Sequence, residues 1–312
     1  MNSIIPPFLR PGDTIGITAS ARWITPEQLQ PAVDIIRQWG FKCLLSPLLF
    51  ERQDQLAGND AQRTNALQHM MDDPAVSAIL FARGGYGTVR ILDQLDFSAF
   101  RKKPKWMCGY SDITALHNRL YHYGIASVHS TMPVSFPDAT AAALESLRQA
   151  LTGELHEVKW NLGSDARLKS NYPIQGMVSG GNLSIIYSVL GSPDQVNGKG
   201  SILFIEDVDE MLYHVDRMMM NLKRANVLAG VKAIVLGGMT QMKDNTKAFG
   251  FPDDNPFGSS AVQIVCRIAE ELELPVFTGF PAGHQSNNCA FYLGREAELS
   301  ISGQEALLQY IP

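Results

Sequence analysis

Residues 76–95 read VSAILFARGGYGTVRILDQL, and this stretch decides the fold class. Val76 to Phe81 is an apolar run of the length of a buried strand, and three glycines within residues 84–87 mark a tight loop. Thr88 to Leu95 then has the apolar spacing of a helix. A strand that passes through a short loop into a helix is the repeating unit of parallel α/β sheets. The stretch therefore predicts a parallel sheet whose strands are connected by helices.

The same alternation extends in both directions through the first half of the chain. Thr25 before Pro26 suits a helix N-cap followed by proline at the first helical position. We expect a Rossmann-like domain, with a parallel sheet flanked by helices. Its other predicted strands are Thr14–Thr18, Lys42–Leu45 and Lys105–Cys108, and its other predicted helices are Pro26–Trp39, Asp60–Met71, Ile113–Tyr123 and Thr140–Leu151.

The pattern changes after residue 152, and the length of 312 residues favours two domains. Residues 153–172 are polar and lack helical periodicity, with a short strand candidate at Glu157–Trp160. We predict a first domain at 1–152, a linker at 153–172, and a second, mixed α/β domain at 173–312. Its predicted strands are Ile202–Ile205, Ala233–Leu236, Pro275–Thr278 and Glu298–Ile301, and its helices are Val215–Ala225 and Val262–Leu272.

Composition excludes several classes of protein. The net charge of −5 and the lack of a basic cluster interleaved with aromatic residues argue against a nucleic-acid partner. No apolar run reaches the roughly 18 residues of a membrane span, and the N-terminus lacks the pattern of a signal peptide. We therefore expect a cytoplasmic protein without a membrane partner. The cysteines form no CxxC pair, which predicts neither a disulfide framework nor a metal site; they are Cys43, Cys108, Cys266 and Cys289.

A serine follows the predicted strand at 105–108. Residues 106–114 read WMCGYSDIT, so Ser111 is expected on a tight strand-to-helix turn with its hydroxyl exposed. This is the arrangement of a nucleophile elbow, although Ile113 stands where the usual G-x-S-x-G pattern has its second glycine. The alternative is an ordinary helix N-cap, a role that serine favours.

The glycine loop at 82–88, ARGGYGT, allows two functional interpretations. Its backbone N–H groups could form an oxyanion hole, or they could bind phosphate. It lacks the Gly-Lys-Ser/Thr of a Walker loop and the full dinucleotide fingerprint. A simple tight turn remains the third interpretation.

An acid and a histidine follow two later strands. Glu206 ends the apolar run LFIE, and His284 lies in the glycine-flanked segment GFPAGHQ at 279–285. A general base for serine must be a neutral imidazole that a third group orients, and Glu206 can be that group. The alternative for Glu206 is a surface acid or the partner of an arginine. Among the other histidines, His117 lies on a predicted helix, which favours a surface or capping role.

Four segments, in this order, carry a resemblance. ARGGYG, GYSDIT, IEDVDE and GHQSNN resemble motifs of the serine-type LD-carboxypeptidase family, as do the opening RPGDTIGITASA and the segment YHVDRMMMNL. That family includes murein tetrapeptide carboxypeptidases and microcin-immunity peptidases. The resemblance implies two domains with the active site in the cleft between them, no cofactor and no metal, and a homodimer.

The resemblance also implies residue roles. Ser111 matches the family's nucleophile, Glu206 its acidic triad member and His284 its base. The backbone N–H groups of Gly85 and Asp112 match its oxyanion-hole positions. This sequence departs from the family after His129, with Ser-Thr-Met, and after His284, with Gln-Ser-Asn-Asn-Cys, which affects fine specificity.

The implied activity is hydrolysis of the amide between an L-centre, diaminopimelate or Lys, and the terminal D-Ala of a murein tetrapeptide during cell-wall recycling. Arg83, beside the glycine loop, is a candidate for binding the free terminal carboxylate, with pairing to an acid as its alternative. One competing function is a microcin-immunity-like peptidase that cleaves peptidyl or aminoacyl nucleotides. Another is a non-catalytic nucleotide- or peptide-binding module.

Overall fold

A computed structural model describes residues 3–167 and 173–312, which form two compact α/β units. The first contains the described residues of Met1–His156 together with Ser286–Arg295, and the second those of Glu157–Gln285 together with Glu296–Pro312. The predicted two-domain α/β architecture is therefore confirmed.

Strands and helices alternate along most of the chain. The strands are β1 Thr14–Thr18, β2 Lys42–Leu45, β3 Val76–Phe81, β4 Trp106–Gly109, β5 Ser127–His129, β6 Glu157–Asn161, β7 Ile174–Asn182, β8 Ser201–Val208, β9 Ala233–Thr240, β10 Val276–Thr278, β11 Phe291–Leu293, β12 Glu296–Ser302 and β13 Glu305–Tyr310. The α-helices are α1 Pro26–Gln38, α2 Asp60–Asp72, α3 Thr114–His122, α4 Ala141–Thr152, α5 Leu183–Ser188, α6 Leu212–Arg224 and α7 Ala261–Glu271.

The first unit is built on a six-stranded sheet in the order β2-β1-β3-β4-β5-β11. Strands β1 to β5 run parallel, which confirms the predicted sheet, and this strand order is one of the common orders of open α/β sheets. Because the strands are parallel, the loops after β1, β3 and β4 leave the same edge of the sheet. Ligands bind at this edge in open α/β folds.

Strand β11 completes the first sheet from the far end of the chain. It pairs antiparallel with β5, and nearby Thr131 Oγ1 donates to the Asn288 carbonyl at 2.9 Å. The segment 286–295 therefore lies in the first unit, whereas the sequence pattern placed it in the domain 173–312. Pairing covers the edge of β5 that would otherwise be open. Of the predicted linker, β6 joins the second sheet, and 168–172 lie outside the described residues.

The second unit has a mixed sheet in the order β10-β9-β8-β7-β12-β13-β6. Strands β7 to β10 are parallel, and β12, β13 and β6 continue the sheet antiparallel. Helices α5, α6 and α7 pack an apolar core against it. Met218 and Met219 of α6 are fully buried in that core, so this methionine run serves packing.

Local sequence explains the helix starts and one wrong prediction. Thr25 and Gln28 form a reciprocal capping box at the start of α1, with Pro26 inside the first turn. The helix predicted at Thr88–Leu95 is replaced by two 3₁₀ turns, Thr88–Arg90 and Leu92–Gln94. The first turn follows Gly87, which has φ +143°, and distant side chains fix this loop: Arg63 donates to the Gly87 carbonyl and Asp112 accepts from the Thr88 N–H.

The expectations drawn from composition concern the cysteines, membrane-spanning helices and clusters of metal ligands. All four cysteines are free thiols, two of them buried. Over residues 3–167 and 173–312 no helix is both long and apolar enough to cross a bilayer. Over the same residues no three His, Cys, Asp or Glu side chains are grouped as metal ligands.

Candidate active site

Ser111 lies on a strained turn directly after β4. Its φ is +61°, a left-handed conformation that side chains other than glycine rarely adopt. Tyr110 before it is extended, and Ser111 to Ile113 form a 3₁₀ turn that continues into α3. This strand-to-helix turn with a strained serine is the geometry of a nucleophile elbow.

The glycine loop after β3 packs against this serine. A Cβ added to Gly84 would lie 3.2 Å from Ser111 Cβ and 3.3 Å from its Oγ, so only glycine fits here without movement. Asp112 is buried, and its Oδ2 accepts a hydrogen bond from the Thr88 N–H at 2.8 Å. Burial raises the pKa of Asp112, although the hydrogen bonds from Thr88 act to lower it. Gly85, which has φ +118°, is the next residue after Gly84 in this loop.

Arg63 of α2 also fixes this loop, and sequence reasoning missed it. The side chain is fully buried, and its Nη1 donates to the Gly87 carbonyl at 2.8 Å and to the Ser20 carbonyl. Its Nη2 pairs with Asp60. A buried guanidinium that bonds backbone carbonyls joins the loops after β1 and β3. The only signal in the sequence is an arginine among the apolar positions of α2.

Replacing Gly84 by alanine tests whether the glycine loop must touch the serine. The added methyl group would press on Ser111 and on Met132 Cε, which would lie 3.0 Å from it. The neighbours must move by a few tenths of an ångström, which is less than the displacement of about 1 Å that costs on the order of 10²-fold in rate. We expect kcat to fall by about 10-fold, with a small change in Tm. Wild-type kcat in this variant would contradict the contact's role.

His117 lies beneath the turn, and the predicted surface or capping role is wrong. The residue is buried, its Nε2 donates to the Gly109 carbonyl at 2.9 Å, and its Nδ1 accepts from Ser127 Oγ at 2.8 Å. Because a carbonyl can only accept, Nε2 must carry a proton, and the neutral ring then accepts from the Ser127 hydroxyl through Nδ1. Burial lowers the pKa of His117 to about 4.

This buried histidine predicts a loss of stability in acid. His117 binds a proton near pH 6.5 in the unfolded chain but only near pH 4 in the folded chain. The free energy of unfolding is therefore highest above pH 6.5 and decreases as the pH falls from 6.5 to 4. At pH 5 the loss is about 2 kcal/mol. Urea unfolding of His117→Gln at pH 7.5 and pH 5 should show a smaller pH dependence than the wild type. Exposed His69→Gln is the control, and equal pH dependence in all three proteins would refute the prediction.

In the second unit, Glu206 and His284 form a close pair. Glu206 Oε2 accepts from His284 Nδ1 at 2.7 Å and from the His284 backbone N–H at 3.2 Å. The Glu206 side chain is fully buried, and 20% of the His284 side chain is exposed. The structure therefore brings together the predicted base and the predicted acid that orients it.

The electrostatics of this pair suit a general base. Because a carboxylate only accepts, the neutral imidazole carries its proton on Nδ1 and its lone pair on Nε2. Burial alone lowers the pKa of His284. The hydrogen bond and charge of Glu206, with the charge of Asp207, outweigh burial and raise that pKa above its usual value.

The sheet positions Glu206 through a bulge. The register of β8 against β9 shifts between Ile205 and Asp207, so Glu206 lies at the irregularity. Gly283 approaches the carboxylate with φ +114°, and a Cβ there would lie 2.9 Å from Glu206 Oε2. A glycine is thus required before His284.

Asn182 and Asp207 support Glu206, and the sequence did not assign them. Asn182 is paired with Glu206 in the β7–β8 register, and its Nδ2 donates to Glu206 Oε1 at 3.2 Å and to Asp207 Oδ1 at 2.9 Å. Asp207 also accepts from the Ser184 hydroxyl at 2.8 Å. Burial and then the charge of Glu206 raise the pKa of Asp207 to about 6. In the sequence, the sign of this network was Asp207, an acid that follows Glu206 at the end of the apolar run of β8.

The predicted site residues divide between the units. Ser111, Gly85, Asp112 and Arg83 belong to the first unit, and Glu206 and His284 belong to the second. Within each unit, the predicted residues are neighbours at the carboxyl ends of parallel strands or in the loops that follow. A single triad formed from both sets is a proposal, taken up below.

Comparisons with known proteins identify the family. The family model for the LD-carboxypeptidase N-terminal domain matches residues 15–130, and the family model for the LD-carboxypeptidase C-terminal domain matches residues 175–299. The chain belongs to the LD-carboxypeptidase family. The resemblance seen in the motifs is confirmed, and membership supports a hydrolase of the carboxypeptidase class.

Relatives extend over nearly the whole chain. A probable murein peptide carboxypeptidase of Bacillus subtilis is 30% identical over 97% of this chain and 94% of its own. The murein tetrapeptide carboxypeptidase of Pseudomonas aeruginosa is 27% identical over 91% of this chain and 92% of its own. The Microcin C7 self-immunity protein MccF of Escherichia coli is 26% identical over 88% of this chain and 86% of its own.

Solved structures of LD-carboxypeptidase relatives share the fold. The muramoyltetrapeptide carboxypeptidase from Oxalobacter formigenes superposes with a TM-score of 0.82 at 26% identity, covering 96% of this chain and 99% of that one. MccF in complex with glutamyl sulfamoyl guanosine superposes with a TM-score of 0.84 at 22% identity, covering 97% of this chain and 98% of that one. The second similarity concerns the fold alone.

Proposed function

We propose that this protein is a serine LD-carboxypeptidase that releases the terminal D-Ala of a murein tetrapeptide. The observation that carries the proposal is the 2.7 Å hydrogen bond between Glu206 and His284, together with the strained, positive-φ turn at Ser111. These are the parts of a nucleophile–base–orienter system. The proposal requires the two units to bring Nε2 of His284 to the Ser111 hydroxyl.

In the proposed mechanism, Ser111 Oγ attacks the carbonyl carbon of the scissile amide while His284 Nε2 takes the hydroxyl proton. Glu206 holds the ring and stabilises the imidazolium. The N–H groups of Gly85 and Asp112 stabilise the negative tetrahedral oxygen. His284 then protonates the leaving amine, which releases the D-amino acid. Water, deprotonated by the same imidazole, resolves the acyl-enzyme and regenerates the hydroxyl.

The names of the relatives support the substrate class. Murein peptides are the substrates in the names of the Bacillus and Pseudomonas proteins. We propose the amide between diaminopimelate or Lys and D-Ala, in cell-wall recycling, with the enzyme acting as a cytoplasmic homodimer. Light scattering coupled to gel filtration tests the dimer.

A second candidate activity is cleavage of an aminoacyl or peptidyl nucleotide. The similarity to MccF over most of both chains favours including it. The test is a comparison of kcat/KM for a murein tetrapeptide with that for an aminoacyl sulfamoyl adenosine. A clear preference for the tetrapeptide supports the proposal, and turnover of the nucleotide alone would replace it with the second activity.

A further inference from the structure

Two arginines lie beside the glycine loop in the first unit. Arg22 follows β1, and its side chain covers Gly85, since a Cβ there would lie 2.6 Å from Arg22 Cδ and 2.7 Å from Nε. Arg83 follows β3, immediately before Gly84, and its Nη1 lies 3.5 Å from the Trp23 carbonyl. The Arg22 N–H also lies 3.5 Å from the Gly84 carbonyl. The two arginines therefore lie on loops that meet at Gly84 and Gly85, and Gly84 is the residue that contacts Ser111.

The two arginines differ from their neighbours in their ion pairing. In the described ranges 3–167 and 173–312, no carboxylate forms an ion pair with Arg22 or Arg83. Arg63 and Arg90, which lie near the same loop, both pair with Asp60. Burial and the adjacent charge of Arg22 hold the pKa of Arg83 below its usual value. Two adjacent cations without an acid repel one another, which costs stability unless an anion binds.

We propose that Arg22 and Arg83 together bind the free terminal carboxylate of the substrate. The proposal rests on the proposed function and extends it, because the alternative for Arg83, pairing with an acid, does not occur within the described residues. A guanidinium fork matches a carboxylate in two parallel hydrogen bonds. Arg83 directly precedes Gly84, the residue that contacts Ser111, so a carboxylate bound to Arg83 would lie close to the attacked amide. This position explains cleavage of one terminal residue rather than cleavage within a chain.

The experiment compares a murein tetrapeptide ending in free D-Ala with the same peptide ending in D-Ala carboxamide. The wild type should prefer the acid by about 100-fold in kcat/KM, since each charged hydrogen bond is worth about 10-fold or more. In Arg22→Gln/Arg83→Gln the preference should fall to about threefold or less. Because the Arg22 side chain covers Gly85, the variant can also slow the amide substrate, and the expected result is a larger loss for the acid than for the amide. Arg101→Gln, which changes an exposed arginine of the same unit, should retain the full preference.

The outcomes separate this inference from the proposed function. Turnover of the acid by the wild type tests the function, and the acid-to-amide ratio in the double variant tests the arginines. An unchanged preference in the double variant would overturn the assignment while leaving the peptidase intact. Calorimetric binding of both peptides to Ser111→Ala supplies a readout without turnover. Equal affinity for acid and amide there would also overturn it.

Thermal unfolding excludes a structural explanation. Because the two cations repel one another, removing either charge should leave Tm unchanged or raise it. A large drop in Tm for both Arg22→Gln and Arg83→Gln would show that the arginines serve the fold, and would contradict the assignment.

Discussion

Ser111→Ala is expected to lower kcat on a murein tetrapeptide by at least about 10⁴-fold. The alanine has no hydroxyl to attack the amide, so no acyl-enzyme can form. The fold should survive, because the turn is held by the Gly84 contact and by the bond from Thr88 to Asp112, neither of which needs the Ser111 hydroxyl. Release of D-Ala, measured under single-turnover conditions, and Tm are the two readouts.

Ser111→Gly is the matched variant. It removes the same hydroxyl, but glycine adopts φ +61° freely, whereas alanine is strained there by about 1 kcal/mol. Both variants should be equally inactive, and the glycine variant should have the higher Tm. Appreciable turnover by either variant would remove Ser111 from the mechanism.

Glu206→Gln is expected to lower kcat/KM by about 10²- to 10⁴-fold and to move its pH profile. His284 acts as a base only when neutral, so activity rises with pH through the pKa of His284. In the wild type Glu206 and Asp207 raise that pKa against burial. Without the charge of Glu206, burial has more weight and the pKa falls. The acid limb should therefore shift to lower pH while the maximum rate drops.

Glu210→Gln is the control for this prediction. Glu210 bonds His214 at 2.6 Å in the same unit and is linked to Asp207 through the Ser184 hydroxyl, so its variant tests whether another carboxylate of this network sets the acid limb. Its variant should keep the acid limb of the wild type. If the acid limb of the kcat/KM profile of Glu206→Gln lay at the same pH as in the wild type, Glu206 would not set the pKa of the catalytic base.

Several parts of the fold and site could be predicted because they depend on local pattern. The apolar run into Gly109 and Ser111 predicts a strand-to-turn serine, and the glycines of 84–87 predict a loop that approaches another group closely. The apolar strand ending at Glu206 and the glycine before His284 likewise indicate groups at strand ends. Each of these features is encoded within about ten consecutive residues.

Other parts depend on contacts between distant segments. Nothing local in 291–293 indicates that this strand joins β5 in the first unit. His117 lies on a helix whose residues are buried on most sides, so helical spacing alone does not predict its position. The 3₁₀ turns at 88–94 replace a helix because the loop is fixed by Arg63 and Asp112, which lie far away in sequence.

The polar groups around Glu206 also needed the structure. Asn182 and Asp207 are identifiable in the sequence as residues near strand ends, but their bonds follow from strand pairing and the bulge in β8. The lack of an ion-paired acid beside Arg22 and Arg83 in the described residues is likewise a property of the folded chain. A sequence shows which charges exist, and only the fold shows which of them are paired.

The most direct test of the catalytic proposal is a crystal structure with a non-hydrolysable murein tetrapeptide bound, in which the distance from Ser111 Oγ to His284 Nε2 is measured. We predict about 3 Å, within reach of proton transfer, with Glu206 still bonded to Nδ1. A separation with bound ligand that neither a direct hydrogen bond nor one water can span would contradict the Ser111–His284–Glu206 mechanism.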